Sequence, residues 1–139
     1  MLRGLATISF WAAELTAAKQ WYTELLGIAP YFERPNPDGS LAYIEFRIGD
    51  YQHELGIIDS RYAPGGAANS PTGAIAYWHT DDLPATFDKL LSMGAREHQA
   101  ITKRGEGFVT ASVIDPFGNI LGIMSNRHYL EVLGTLKKA

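Results

Sequence analysis

The side chains of this chain that could perform acid–base or metal chemistry are its histidines and carboxylates. The four histidines are His53, His79, His98 and His128, and no two of them have the close spacing by which one helix or strand chelates a metal. The chain contains no cysteine, which excludes a thiol nucleophile, a thiolate metal site and a disulfide framework. Any site must therefore be assembled from imidazole, carboxylate and hydroxyl groups that lie far apart in the sequence.

The elements that must position these groups form a plan that occurs twice, in residues 5–59 and 74–126. Each copy reads as a strand, an acidic helix start, an amphipathic helix, a glycine stop and three further strands. The first helix is predicted over 15–26 before Gly27, and the second over 83–93 before Gly94. The predicted strands cover 5–11, 31–34, 41–48 and 53–58, then 74–80, 96–100, 107–114 and 120–125.

The two copies predict an α+β protein made of paired βαβββ modules. A linker is predicted at 60–73 and a tail at 127–139, and the whole of 1–139 is interpreted as one domain. Turn signals stand at 36–39 and 115–118, and the "RGEGF" segment at 104–108 is interpreted as a glycine loop or an ordinary hairpin turn. Because a half-sized unit cannot bury its own apolar face, the two modules are expected to pack together around a cavity.

Charge and composition exclude several classes of partner. Twelve basic and fifteen acidic residues give a formal net charge of −3 without long runs of either sign, which argues against nucleic acid and anionic membranes. No segment approaches the roughly 20 apolar residues of a membrane span. The absence of cysteine fits a cytoplasmic location.

Three segments carry a resemblance to a known family: "WYTELLGIAP" at 21–30, "HTDDLPATFDKLLSMGA" at 79–95 and "DPFGNILGIM" at 115–124. Together they resemble the vicinal oxygen chelate superfamily, which includes glyoxalase I, extradiol dioxygenases and bleomycin-resistance proteins. The resemblance implies a cup-like curved mixed sheet with helices outside, a ligand cavity inside and a homodimer.

The resemblance also implies where the metal ligands of such enzymes would stand. These positions fall on Thr7 and Gly56 in the first module and on Ile75 and Gly122 in the second. None of the four is a metal ligand, whereas a catalytic divalent ion needs about three protein ligands. We therefore predict a protein without a metal or other cofactor.

A displaced site is the alternative. Glu54 and His79 share strand faces with the positions that the family uses, so Glu54, His79 and Glu45 are candidates for a shifted metal site. Without a metal, His79 could act as general acid or base because its ordinary pKa is about 6.5. The simpler interpretation is that His79 borders a polar cavity and Glu54 meets an arginine or solvent.

Strand alternation, with the inward direction taken from the resemblance, predicts the cavity lining. The predicted ligand-binding residues are Ser9, Trp11, Tyr43, Glu45, Arg47, Tyr77, His79, Phe108, Thr110, Ser112 and Met124. Aromatic walls with a few polar groups are typical of small-molecule pockets. The alternative is that Trp11 and Tyr77 only fill space and that Glu45 and Arg47 form a solvated pair.

Two functions therefore remain open. The favoured one is a glyoxalase-like, metal-independent binding protein for a small aromatic or amphipathic molecule. The other is a lyase, isomerase or dioxygenase that uses a displaced metal, or His79 and Glu54 as catalytic residues.

Overall fold

The computed structural model describes residues 1–64 and 73–137, so most of the predicted linker lies outside the described residues. The chain divides into two compact units, Met1–Ser70 and Pro71–Ala139. We call them module 1 and module 2 and describe each by itself.

Module 1 contains one helix and a four-stranded mixed sheet. The strand order is β1-β4-β3-β2, with β1 parallel to β4 and the other pairs antiparallel. A short 3₁₀ helix at Ser60–Tyr62 follows the last strand. The elements are β1 (Thr7–Ala12), α1 (Leu15–Leu26), β2 (Phe32–Pro35), β3 (Leu41–Ile48) and β4 (His53–Asp59).

Module 2 repeats this topology. Its strand order is β5-β8-β7-β6, again with the first strand parallel to the last, so the predicted pair of βαβββ modules is confirmed. The predicted tail contains a helix, α3. The elements are β5 (Tyr77–His79), α2 (Leu83–Ser92), β6 (Arg96–Gly105), β7 (Phe108–Ile114), β8 (Ile120–Asn126) and α3 (Arg127–Lys137).

Two strand predictions were wrong in length. The strand predicted over 96–100 runs to Gly105, because pairing with β7 extends a polar segment that has no apolar alternation of its own. The strand predicted over 74–80 is reduced to Tyr77–His79, the residues that pair with β8. The "RGEGF" segment is a hairpin turn that joins β6 to β7 at Glu106 and Gly107.

Local sequence signals account for both helices. α1 ends at Gly27, whose φ of +70° lies in the left-handed region and whose N–H donates to the Thr23 carbonyl. α2 begins after Asp82, whose carboxylate accepts a hydrogen bond from the Ala85 N–H. Glu14 precedes α1 but forms no such side-chain hydrogen bond. Of the two acidic residues, only Asp82 caps its helix with its side chain.

The buried apolar residues of each sheet alternate along the strands and share one face with the helix. In module 1, α1 packs against β3 and β4, and in module 2, α2 packs against β6, β7 and β8. We call this the helix-proximal face and the opposite one the helix-distal face. The helix-proximal core contains Phe10, Ala12, Leu15, Ala18, Tyr22, Ile44, Phe46, Leu55 and Ile57 in module 1, and Leu83, Phe87, Leu90, Ala111, Val113, Leu121 and Ile123 in module 2.

The "DPFGN" segment forms the turn between β7 and β8 and is held by the buried Asp115. One carboxylate oxygen of Asp115 accepts from the backbone N–H groups of Phe117 (2.9 Å) and Asn119 (2.8 Å), and the other accepts from the Asn119 side-chain amide (2.9 Å). Gly118 has a φ of +95°, which favours glycine. This part of the family resemblance therefore has a structural cause.

Within residues 1–64 and 73–137, no helix has the length and apolar character that a bilayer crossing requires.

Candidate ligand-binding site

The helix-distal face of module 1 collects the site residues that were predicted for that module. The strand register places Ser9 beside Gly56 and Gly56 beside Glu45. The neighbouring rows are Thr7, Glu54 and Arg47 on one side and Trp11, Ile58 and Tyr43 on the other. Strand pairing thus brings groups that are up to about 50 residues apart in sequence onto one surface, as the alternation of residues predicts.

Glu45 and Tyr43 form the most perturbed titratable pair on this face. The Tyr43 hydroxyl donates to Glu45 Oε1 at 2.5 Å. Burial, reinforced by the nearby Glu54 carboxylate, raises the pKa of Glu45, and Arg47 only partly opposes this. Burial and Glu54 also raise the pKa of Tyr43. The pair is therefore a half-buried donor and acceptor with a bias toward the uncharged forms.

Glu54, by contrast, is engaged on both of its oxygens. Arg47 Nη1 lies 3.0 Å from Oε1, and the Thr7 hydroxyl donates to Oε2 at 2.7 Å. The Arg47 guanidinium also lies 5.0 Å from the ring centroid of Tyr31, within the range of a cation–π contact. Glu54 therefore meets an arginine, the arrangement that the simpler interpretation of the sequence expects.

We predict that Glu45→Gln stabilises the protein at neutral pH. Because the folded pKa of Glu45 is raised, its favourable contribution is complete below the ordinary value of 4.5 and is lost as the pH rises through the folded pKa. Glutamine stays neutral and its side-chain oxygen still accepts from Tyr43. The free energy of unfolding of the variant should therefore rise relative to that of the wild type as the pH rises from 4 to 7. Urea unfolding across this range measures the difference.

Glu33→Gln is the matched control, since Glu33 lies on the adjacent β2 and pairs with Lys19. The free energy of unfolding of this variant, relative to that of the wild type, should not rise with pH. A pH-independent effect of Glu45→Gln, or a loss of stability at pH 7, would contradict the prediction.

The helix-distal face of module 2 holds the remaining predicted residues. Tyr77, Gly122 and Ser112 form one row, and His79, Met124 and Thr110 form the next. Phe108 lies at the end of β7 opposite Asn126 and is 39% exposed. Thr110 and Ser112 are buried, whereas Tyr77, His79 and Met124 are half-buried.

Both ring nitrogens of His79 already have partners within module 2. Nδ1 accepts from the Asn126 backbone N–H at 3.1 Å, which places the proton of the neutral ring on Nε2, 3.2 Å from Asp81 Oδ1. The ring stacks on Tyr129 of α3, with 4.9 Å between the ring centroids. His79 thus joins β5 to β8 and α3.

Sequence reasoning missed two side chains of this face, His98 and Arg104. His98 Nδ1 lies 2.9 Å from Ser112 Oγ, and Arg104 Nε donates to Thr110 Oγ1 at 3.1 Å. Both belong to β6, whose polar sequence has no periodicity that would assign its faces. Because Ser112 is fully buried, the serine–histidine contact does not present an accessible nucleophile.

The metal positions implied by the family do not fit a metal here. A Cβ on Gly56 would lie 2.6 Å from the Tyr43 hydroxyl oxygen, and one on Gly122 would lie 2.7 Å from Tyr77 Cδ1 and 2.8 Å from the Ala76 carbonyl oxygen. In each module a tyrosine therefore fills the space that a carboxylate ligand would need. Among the described residues of either module, no three histidine, aspartate or glutamate side chains are grouped to hold an ion.

Residues 4–123 match the family model described as the Glyoxalase/Bleomycin resistance protein/Dioxygenase superfamily. No curated protein matches the chain at a significant level.

Solved structures show the same fold at low sequence identity. A glyoxalase-related enzyme from Fulvimarina pelagi is 18% identical with a TM-score of 0.69, and the match covers 88% of each chain. A glyoxalase/bleomycin resistance protein from Catenulispora acidiphila is 18% identical with a TM-score of 0.58, covering 87% of this chain and 97% of that one. A bleomycin resistance determinant encoded on transposon Tn5 is 20% identical with a TM-score of 0.60, covering 89% and 98%.

Proposed function

The chain belongs to the glyoxalase/bleomycin resistance protein/dioxygenase superfamily, and from this premise we propose that it binds a small aromatic or amphipathic molecule without a metal. The observation that carries the proposal is the tyrosine over the glycine in both modules, Tyr43 over Gly56 and Tyr77 over Gly122. It supports a role for the helix-distal faces other than metal chelation.

The chemistry of these faces supports a small-molecule ligand. Aromatic rings stand beside a few polar groups on these faces, a mixture typical of binding pockets. Phe32 and Tyr43 pack edge to face at 6.2 Å beside Glu45 in module 1, and the exposed Phe108 lies near Met124 and Thr110 in module 2. The common cavity inferred from the sequence remains a prediction.

No observation on the described residues specifically favours the enzymatic alternative. His79 uses both ring nitrogens within module 2, and Glu54 uses both oxygens within module 1. The homodimer and the cytoplasmic location also remain predictions.

The proposal is tested by thermal unfolding with a panel of neutral, acidic and basic aromatic compounds, with and without EDTA. A ligand selective for the native state raises the melting temperature in proportion to the logarithm of its concentration. We expect at least one compound to do so equally in both conditions. Phe108→Ala should reduce the shift, because it removes an exposed ring from the helix-distal face.

Leu91→Ala is the matched control. Leu91 is also an exposed apolar side chain, but it belongs to α2, so its removal should leave the ligand-induced shift unchanged. A shift that disappears with EDTA and returns with a divalent ion would contradict metal independence. The failure of every compound in the panel would contradict the proposed ligand class.

A further inference from the structure

Among the described residues, Arg104 on the helix-distal face of module 2 has no anionic partner. Resting on the proposed function, we infer that Arg104 binds an oxyanion group, a carboxylate or a phosphate, on the aromatic ligand. The family match does not supply this assignment, which follows from the contacts of β6 and β7.

Arg104 is held in place by one end of its guanidinium group. Its Nε donates to Thr110 Oγ1 at 3.1 Å, and Thr110 is only 5% exposed, so the anchoring hydroxyl is itself fixed within the sheet. An arginine carries five N–H donors in a rigid fork that matches the two oxygens of a carboxylate or phosphate. The anchor leaves the terminal nitrogens of this fork for a ligand.

The carboxylate nearest to Arg104 in sequence forms an ion pair with a different residue. Glu106, in the hairpin turn, pairs with Lys103 at 2.8 Å, and within residues 1–64 and 73–137 Arg104 forms no ion pair. Lys103 pairs in register with Val109. Val109 lines a pocket of about 290 Å³ with Leu83 and Pro84 of α2, which places Lys103 on the helix-proximal face. Two adjacent cations of β6 thus lie on opposite faces of the sheet.

Apolar surface lies beside Arg104 on the same face. Phe108 pairs in register with Gly105, the residue after Arg104, and is 39% exposed. Met124 is half-buried opposite Thr110, the hydroxyl that anchors the guanidinium. A ligand that rests its ring on Phe108 and Met124 brings an attached oxyanion to Arg104.

The helix-distal face of module 1 is less suited to the same group. Glu45 and Glu54 both lie there, and Arg47 is already paired with Glu54. A second guanidinium, that of Arg34, is in register with Tyr43 and shares this face with the two carboxylates, so a bound carboxylate or phosphate would meet like charge. Charge therefore favours module 2 over module 1 for the oxyanion.

The test is a calorimetric and ¹H–¹⁵N NMR titration with sodium benzoate, phenyl phosphate and benzyl alcohol. Benzoate or phenyl phosphate should bind at least about 10-fold more tightly than benzyl alcohol, as expected for a charge-assisted hydrogen bond. The amides of Arg104, Phe108 and Thr110 should shift. Comparing benzoate with phenyl phosphate identifies which oxyanion is preferred.

Arg104→Gln should abolish this preference, and Lys103→Gln, the same charge change on the adjacent residue and the opposite face, should preserve it. If both variants weaken the binding of the anionic probes equally, the preference depends only on the overall charge of the protein, and the inference is overturned. If all three probes bind equally, the inference fails and the proposed function stands. If no probe binds and no compound of the aromatic panel raises the melting temperature, the inference and the proposed function both fail.

Discussion

Asp115→Ala will lower the free energy of unfolding by about 3 kcal/mol or more, because buried donors that lose their acceptor each cost about 1–3 kcal/mol. Asp115 is 3% exposed, and its carboxylate accepts from two backbone N–H groups and one side-chain amide in the turn between β7 and β8. Alanine leaves these three donors without their partner. Equilibrium unfolding in urea measures the loss.

Asp115→Asn is the first control for this prediction. Its amide oxygen still accepts from the N–H groups of Phe117 and Asn119, so the loss should be clearly smaller than for alanine. Asp88→Ala removes an exposed carboxylate from α2 and should have little effect. A loss below about 1 kcal/mol for Asp115→Ala would show that water replaces the carboxylate in the turn.

Gly122→Ala will destabilise the protein by about 1–3 kcal/mol, the usual range for overpacking. The added Cβ would stand 2.8 Å from the Ala76 carbonyl oxygen and equally close to Ile75 Cγ2, besides its contact with Tyr77. A backbone oxygen cannot rotate away as the end of a side chain can. Gly122→Glu should be at least as unstable and should gain no divalent ion, measured by elemental analysis and by unfolding.

Two glycines provide the comparison. At Gly56 the nearest atoms all belong to the Tyr43 side chain, which can move, so Gly56→Ala should lose less stability than Gly122→Ala. Gly105 has open space around its Cβ direction and lies in strand β6, so Gly105→Ala should be neutral or slightly stabilising. If Gly122→Glu folds normally and binds a stoichiometric divalent ion, the steric account of the missing metal site is wrong.

Much of the fold was predictable because it depends on local signals. Gly27 stops α1 where the sequence indicates, and Asp82 begins α2. The alternation of residues in 41–48 assigns Ile44 and Phe46 to the helix-proximal face and Tyr43 and Glu45 to the other. These predictions succeed because helices and strands each have a fixed side-chain periodicity. When one face is buried, apolar residues recur in the sequence with that periodicity.

The sequence by itself therefore determined the paired βαβββ modules, the helix limits and the face on which the predicted site residues of each module lie. Only the tertiary structure decided that Arg104 and His98 contact Thr110 and Ser112 on the helix-distal face of module 2 and that tyrosines fill the space above Gly56 and Gly122. The reason is that β6 is a polar edge strand, so its sequence has no apolar alternation that would assign its residues to the two faces. Its pairing with β7 determines which face each side chain lies on. Likewise, the position of a tyrosine ring depends on its rotamer and neighbours, which residue spacing does not encode.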